Sequence, residues 1–469
     1  MRAGTTGLLA VLLTLGGCGK QAEHLQPSAT VHSPFASLAE ARIQKNSVIA
    51  KMLAQVNSDS LRALVTALAS FETRHTLSDT TSEQRGIGAA RRWLVKRFLA
   101  CRAACGGRLQ VECDRWREQI PGMGQATLVN VLAILPSPAL ELQSRVVLVC
   151  AHYDSRSSDP RDAVASAPGA NDDGSGVAAM LELARVLGQY RFDATLVFAA
   201  VAGEEQGLLG SARLAQMVQE RGWELVAVVS MDMIGNVVGG NGMVDSVRVR
   251  CFSEGIPYTA TAEEVRARWR MGSECDSPSR QLARYAKAQA ETYLPDLSVT
   301  LVFRPDRLGR GGDHLSFNHV GFPAVRFTEA NEHFGHQHQL VRIEEGVQYG
   351  DLPEFLSYSY LTRATKAVGA VVAGLALSPR APQEVTLNRG NGYDANLTWK
   401  DPTPMSDVAG YKVYIRHTTS PSWEKQVVVR GGTQVAINGV CIDDYLFAVV
   451  AVDRDGNESL PALPTLRHQ

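Results

Sequence analysis

Residues 145–201 run Arg145-Val-Val-Leu-Val-Cys-Ala151, then Gly169-Ala-Asn-Asp-Asp-Gly-Ser-Gly176, then the apolar stretch Val177–Leu187, and finally Leu196-Val-Phe-Ala-Ala-Val201. The first and last pieces are short, near-continuous apolar runs, the texture of strands buried on both faces. Val177–Leu187 has the spacing of a helix with a buried face. Strand, helix and strand in this order predict an α/β fold: a mostly parallel mixed sheet with helices on both faces. Residues 126–135 and 224–232 read as further strands of that sheet.

Upstream, Ile43–Val56, Ser60–Phe71 and Ser82–Ala100 carry apolar residues at three- and four-residue intervals and read as helices. Downstream, residues 252–280 are polar and read as an insertion over one end of the sheet. A helix over 280–292, a strand over 298–303, a glycine-rich loop at 308–313, a strand at 323–327 and a helix over 353–377 complete the unit, predicted to span 35–378. Ser378-Pro-Arg-Ala-Pro382 is a linker. Short alternating strands follow at Glu384–Leu387, Ala395–Trp399, Gly410–Arg416, Lys425–Val429 and Tyr445–Val452, which predict a small all-β sandwich. With Leu-Thr-Trp399, Gly-Tyr-Lys-Val-Tyr414 and Gly-Asn-Glu-Ser459, residues 382–465 resemble a fibronectin type III domain. That resemblance implies an interaction or spacer module whose partner is unknown.

The chain has 469 residues, room for two or three domains. Its 47 Lys+Arg against 48 Asp+Glu leave no electrostatic case for nucleic acid. Near the start, Arg2 precedes the apolar run Leu8–Leu15, far shorter than the roughly 20 residues that span a bilayer, so the segment reads as an export signal. Leu15-Gly-Gly-Cys18 resembles a bacterial lipoprotein signal over residues 1–18, with cleavage before Cys18 and a lipid anchor on its thiol. Residues 19–34 read as a flexible tether, and a glycine rather than an aspartate after Cys18 fits an exported lipoprotein of the outer membrane or facing the periplasm. Export permits disulfides. Cys101, Cys105 and Cys113 can supply one bridge and Cys251 with Cys275 another, while Cys150 reads as a buried free thiol.

The candidate chemistry lies just past predicted strand ends, where open α/β sheets place their sites. His152 and Asp154 are one residue apart, so on an extended chain both point the same way and the carboxylate can fix the imidazole's tautomer. Asp172 and Asp173 sit among small residues at the mouth of a helix. Glu204 and Glu205 follow one strand and Asp232 ends another; of an adjacent pair, one carboxylate can ligate a metal while its neighbour reaches a water. Mixed imidazole and carboxylate donors suit zinc. Taken singly, each acid also reads as a turn or helix cap. It is their joint order that points to a metal centre.

Ala151-His-Tyr-Asp-Ser155, Gly169–Gly176, Gly203-Glu-Glu-Gln-Gly207, Met231-Asp-Met-Ile-Gly235, Asp313-His-Leu-Ser-Phe317 and Gly321-Phe-Pro-Ala-Val325 resemble the motifs of the co-catalytic zinc aminopeptidases, metallopeptidase family 28. The resemblance covers about residues 60–375. It implies two zinc ions: one on His152, Asp232 and a bridging Asp172, the other on Asp172, Glu205 and a late histidine, with Glu204 as general base. It also implies a cis peptide between Asp172 and Asp173. In Glu332-His-Phe-Gly-His-Gln-His-Gln-Leu340 the late ligand is expected at His336, with His338 as substitute and His333 third, while His314 and His319 are expected to position the glycine-rich loop. The implied activity is release of N-terminal residues from peptide substrates. Glutaminyl cyclase-like or carboxypeptidase chemistry in the same fold is the alternative, the latter calling for an arginine such as Arg304, Arg307 or Arg310 near the pocket. An inactive surface binding protein is the remaining one.

Overall fold

The computed structural model describes residues 34–388, 393–401 and 407–467. The expected signal, Cys18 and nearly all of the tether lie outside them. Eight strands form the central sheet: β1 (Gln110–Ile120), β2 (Gly124–Leu135), β3 (Arg145–His152), β4 (Thr195–Val201), β5 (Glu224–Met231), β6 (Arg248–Phe252), β7 (Ser298–Val302) and β8 (Ala324–Glu329). Their order is β1-β2-β4-β3-β5-β8-β6-β7. The pairings of β3 with β4 and β5, of β5 with β8, and of β6 with β7 are parallel; the other three are antiparallel.

Burial of β3 and β4 on both faces explains their unbroken apolar sequence. One face packs on α1 (Ser47–Ala54), α2 (Ser58–Ala69), α3 (Gly86–Ala104), α4 (Gly174–Leu187), α6 (Pro278–Tyr293) and α7 (Tyr358–Leu377). The other packs on α5 (Leu209–Glu220), through Leu214, Ala215 and Val218, and on Phe317. The fold class is therefore the expected one. Two strands of this sheet carry no clear sequence signal. In β1 most side chains are only partly covered and several are charged, so no apolar face advertises it. β6 is a five-residue strand, Arg-Val-Arg-Cys-Phe, whose neighbours are polar. The polar segment also contains a helix, Ala262–Met271, started by a Thr261–Glu264 capping box.

Beyond α7, strands 434–437, 395–400, 383–388 and 465–467 form one four-stranded sheet. Strands 425–429, 408–417 and 445–453 form a second, completed by Ala39–Glu40 from the start of the chain. Val385, Leu397 and Trp399 of one sheet share a core with Val413, Ile415 and Phe447 of the other, and Phe35 joins it. All seven described cysteines are free, so neither anticipated bridge forms. Cys251 is buried within β6 whereas Cys275 is exposed beyond the helix at 262–271; Cys150 is the buried thiol expected.

Candidate metal centre

Three strand ends and one loop supply five of the site's residues. His152 closes β3, Glu204 and Glu205 lie just past β4, and Asp232 follows β5. Asp172 is delivered by the loop before α4. The loop turns at Gly169, φ 55°, where a Cβ would stand 2.5 Å from the Asp172 carbonyl oxygen and 2.6 Å from Ser155 Cβ. Only glycine fits there. The Asp172–Asp173 peptide is cis. Asp173 turns away from its neighbour: its carboxylate caps α4, accepting from Gly176 N at 2.9 Å, and also accepts from His152 N at 3.2 Å.

Two groups of side chains converge. His152, Glu204 and Asp232 form one and Asp172, Glu205 and His338 the other, the ligating atoms of each group lying within 4.8 Å of one another. Asp172 joins them: its Oδ1 is 3.2 Å from His152 Nε2 and its Oδ2 2.9 Å from His338 Nε2. His338 Nε2 also lies 2.9 Å from Glu205 Oε1. Yet His152 Nε2, Asp232 Oδ1, Glu205 Oε1 and His338 Nε2 are all buried without a properly directed hydrogen-bond partner. Buried polar atoms normally find partners. Four left unpaired, two in each group, are placed as cation ligands are, and mixed imidazole and carboxylate donors match zinc.

The electrostatics fit the same reading. Burial opposes charge on His338, but Glu205 and Asp172 outweigh it and raise the imidazole to about 10. Burial likewise opposes the Asp172 carboxylate, and His338 and His152 overcome it and hold the acid well below its ordinary value. Burial pushes Glu204 well up; His152 partly offsets this, while Glu205 and Asp232 add to it. So much buried charge of both signs in one place is costly unless paired or metal-bound.

The expectation for the late histidine is corrected. His336 stands apart, its ring stacked between His333 and Phe355 at 3.7 Å on each side. A tight turn, with His336 N and Gln337 N donating to His333 O, carries the chain past it. His338, at φ 52°, then points into the cluster. His314 Nε2 donates to Pro305 O, 2.7 Å away, and so braces the segment leading into the glycine-rich loop.

Asp154 acts differently from the expectation as well. The imidazole Nδ1 of His152 meets the Asp154 carbonyl oxygen at 3.2 Å, and the side-chain Oδ1 only at 3.7 Å. The Asp154 carboxylate accepts instead from the backbone of Gly203 (2.9 Å), Glu204 (3.3 Å) and Glu205 (3.1 Å). It therefore fixes the loop that presents both glutamates.

Three partners had no sequence signal. Asp351 accepts from Asn171 N and, at 2.7 Å, from Asp172 N, holding the loop from behind. Arg326, fully buried on β8, sets Nη2 2.9 Å from Asp232 Oδ2. Arg156 contacts Glu205 Oε2 at 2.9 Å and His338 Nδ1 at 2.7 Å. The cluster opens into a cleft of about 690 Å³ walled by Arg156, Leu208, Arg307, Arg310 and Phe334.

Comparison with known proteins agrees with this geometry. The family described as Peptidase family M28 matches residues 130–340. A "Probable zinc metalloprotease" of Pyrenophora tritici-repentis is 37% identical over 419 residues, covering 88% of this chain and 96% of the relative. Another, of Pyricularia oryzae, is 39% identical over 427 residues, with 88% and 83% covered. Among solved structures, the LapA aminopeptidase of Legionella pneumophila superposes with a TM-score of 0.51 at 21% identity, over 71% of this chain and 76% of that one. LapB of the same organism gives 0.52 at 18% identity, over 73% and 79%. At those identities the two structures speak to the fold alone.

Proposed function

The chain belongs to peptidase family M28 and is a zinc-dependent peptidase, and from that premise we propose that it is an aminopeptidase holding two zinc ions. The observation that carries the reading is the convergence of unpaired buried donors in two groups joined by Asp172. His152 and Asp232 with Asp172 would hold one ion, and Glu205 and His338 with Asp172 the other. Bound zinc supplies a Lewis acid that polarises a carbonyl and makes water easier to deprotonate.

The protein's own groups supply the rest. Glu204 stands beside His152 and Asp232 and lines the cleft, where its carboxylate can take a proton from the attacking water and return it to the leaving amine. Asp154 holds Glu204 in that position through the backbone. The acidic end of the cleft, formed by Asp172, Glu204, Glu205 and Asp232, favours a substrate's free α-ammonium over an α-carboxylate. Glu204→Gln, assayed on a panel of N-terminal aminoacyl substrates, should lose about a thousandfold in kcat while keeping its zinc. A variant as active as the parent would remove Glu204 from the chemistry.

One observation favours a second reading. Arg307 and Arg310 line the same cleft, where a C-terminal carboxylate could bind them. N-acetylated peptides with a free C-terminus separate the two: cleavage of these, with free N-termini untouched, would make the enzyme a carboxypeptidase. Export and a lipid on Cys18 belong to the same proposal, and fatty-acid labelling that survives Cys18→Ala would refute the anchor.

A further inference from the structure

We infer that the C-terminal pair of sheets is a working part of the peptidase, with Arg416 as a positioning residue for the wall of the cleft. Arg416 lies on strand Val408–His417 and is 2% exposed. Its Nη2 donates across the unit boundary to both oxygens of Asp276, at 3.0 and 2.8 Å. Asp276, 1% exposed, ends the polar segment that precedes α6. The same carboxylate also accepts from Arg284 and from Gln281 Nε2.

From there a short series of contacts runs to the cleft. Arg284 reaches back to Pro421 O at 2.8 Å and lies over the Phe303 ring at 5.4 Å from its centre. Arg280, one turn earlier on α6, covers the same ring at 3.9 Å and donates to Ser253 O at 2.9 Å. Ser253 N in turn donates to Arg304 O at 3.0 Å. Phe303 and Arg304 thus anchor the base of the 303–313 loop. The far side of that loop supplies Arg307, Gly309, Arg310 and Gly311 to the cleft wall. Its Asp306 carboxylate and Gly311 carbonyl both receive Arg326, the residue beside Asp232.

The start of the chain is gathered into the same assembly. Phe35 stacks on Tyr445 at 4.5 Å, and Asn46 Nδ2 donates to Asn457 Oδ1 at 3.0 Å. A spacer module would meet its neighbour through a wet, exchangeable surface. Here a buried charge pair fixes the register instead, and removing one member leaves the loop base without its brace. The claim does not depend on which end of a peptide is cleaved.

Full-length Arg416→Gln, Arg416→Lys and Asp276→Asn test it by steady-state kinetics and by hydrogen exchange. Arg416→Gln and Asp276→Asn should each raise KM about fivefold with kcat little changed. Amides of 303–313 should exchange about tenfold faster in both, while those of 145–152 keep their protection. Arg416→Lys retains the charge facing Asp276 and should stay near the parent in KM. Should Arg416→Gln not fold, Asp276→Asn carries the same comparison from the peptidase side. Variants that lose thermal stability yet keep parental KM and parental exchange at 303–313 would overturn the inference, leaving the sheets a merely attached unit. The exchange arm reads the coupling even if every assayed peptide proves a poor substrate.

Discussion

The carboxylate of Asp154 accepts the backbone N–H of Glu205 at 3.1 Å, so a residue at the end of one strand fixes a ligand beyond the next. With Gly203 and Glu204 on the same carboxylate, three donors depend on one acid. Asp154→Asn keeps the shape but turns an amide N–H toward some of those donors, at a cost of about 1–3 kcal/mol in stability. Because the proposed base, Glu204, shifts with its loop, kcat should fall about a hundredfold. Equal activity of variant and parent would mean the loop holds its shape without Asp154.

His338, rather than His336, stands with Asp172 and Glu205. His338→Ala should lose one zinc equivalent and nearly all turnover. His336→Ala should keep both, since its ring stacks between His333 and Phe355, outside the cluster. Metal analysis of the two variants side by side decides it; the reverse pattern would return the role to His336.

Glu332 is the shared partner of Arg250 and of the cleft-wall residues Arg307 and Arg310, its side chain 8% exposed. Burial opposes its charge, but Arg307 and Arg310 outweigh that and bring the carboxyl from 4.5 to about 2. A depressed folded-state value stabilises the protein above pH 4.5, and that contribution fades as pH falls toward 2. Glu332→Gln should therefore cost on the order of 3 kcal/mol at neutral pH. Denaturant titrations from pH 7 downward should find the gap to the parent closing below pH 4.5. A gap independent of pH would mean that packing, not charge, makes Glu332 matter.

Much of the centre could be read before any coordinates, because its members close strands that are apolar throughout. His152 and Asp232 sit at the very ends of such runs, Glu205 a short turn past one, and Asp172 at the mouth of the helix between two. The late histidine of the cluster could not be read in the same way. Three histidines fall within residues 333–338, and which one faces inward depends on a turn and on the left-handed backbone of His338. A non-glycine residue there is uncommon, and no residue pattern announces it. Arg326 and Asp351 escaped for another reason. They act on Asp232 and Asp172 across more than ninety residues of chain, and only the folded sheet brings them together. Spacing places Asp154 beside His152 but gives no hint of the loop at 203–205 that its carboxylate holds.

Zinc counted against protein, in full-length material purified without chelator and then saturated with zinc, tests the central claim most directly. Two ions per chain are expected, with activity lost on chelation and restored by zinc. A fully active protein that saturates at one ion, or binds none, would contradict the convergence of His152, Asp172, Glu205, Asp232 and His338 on a pair of cations.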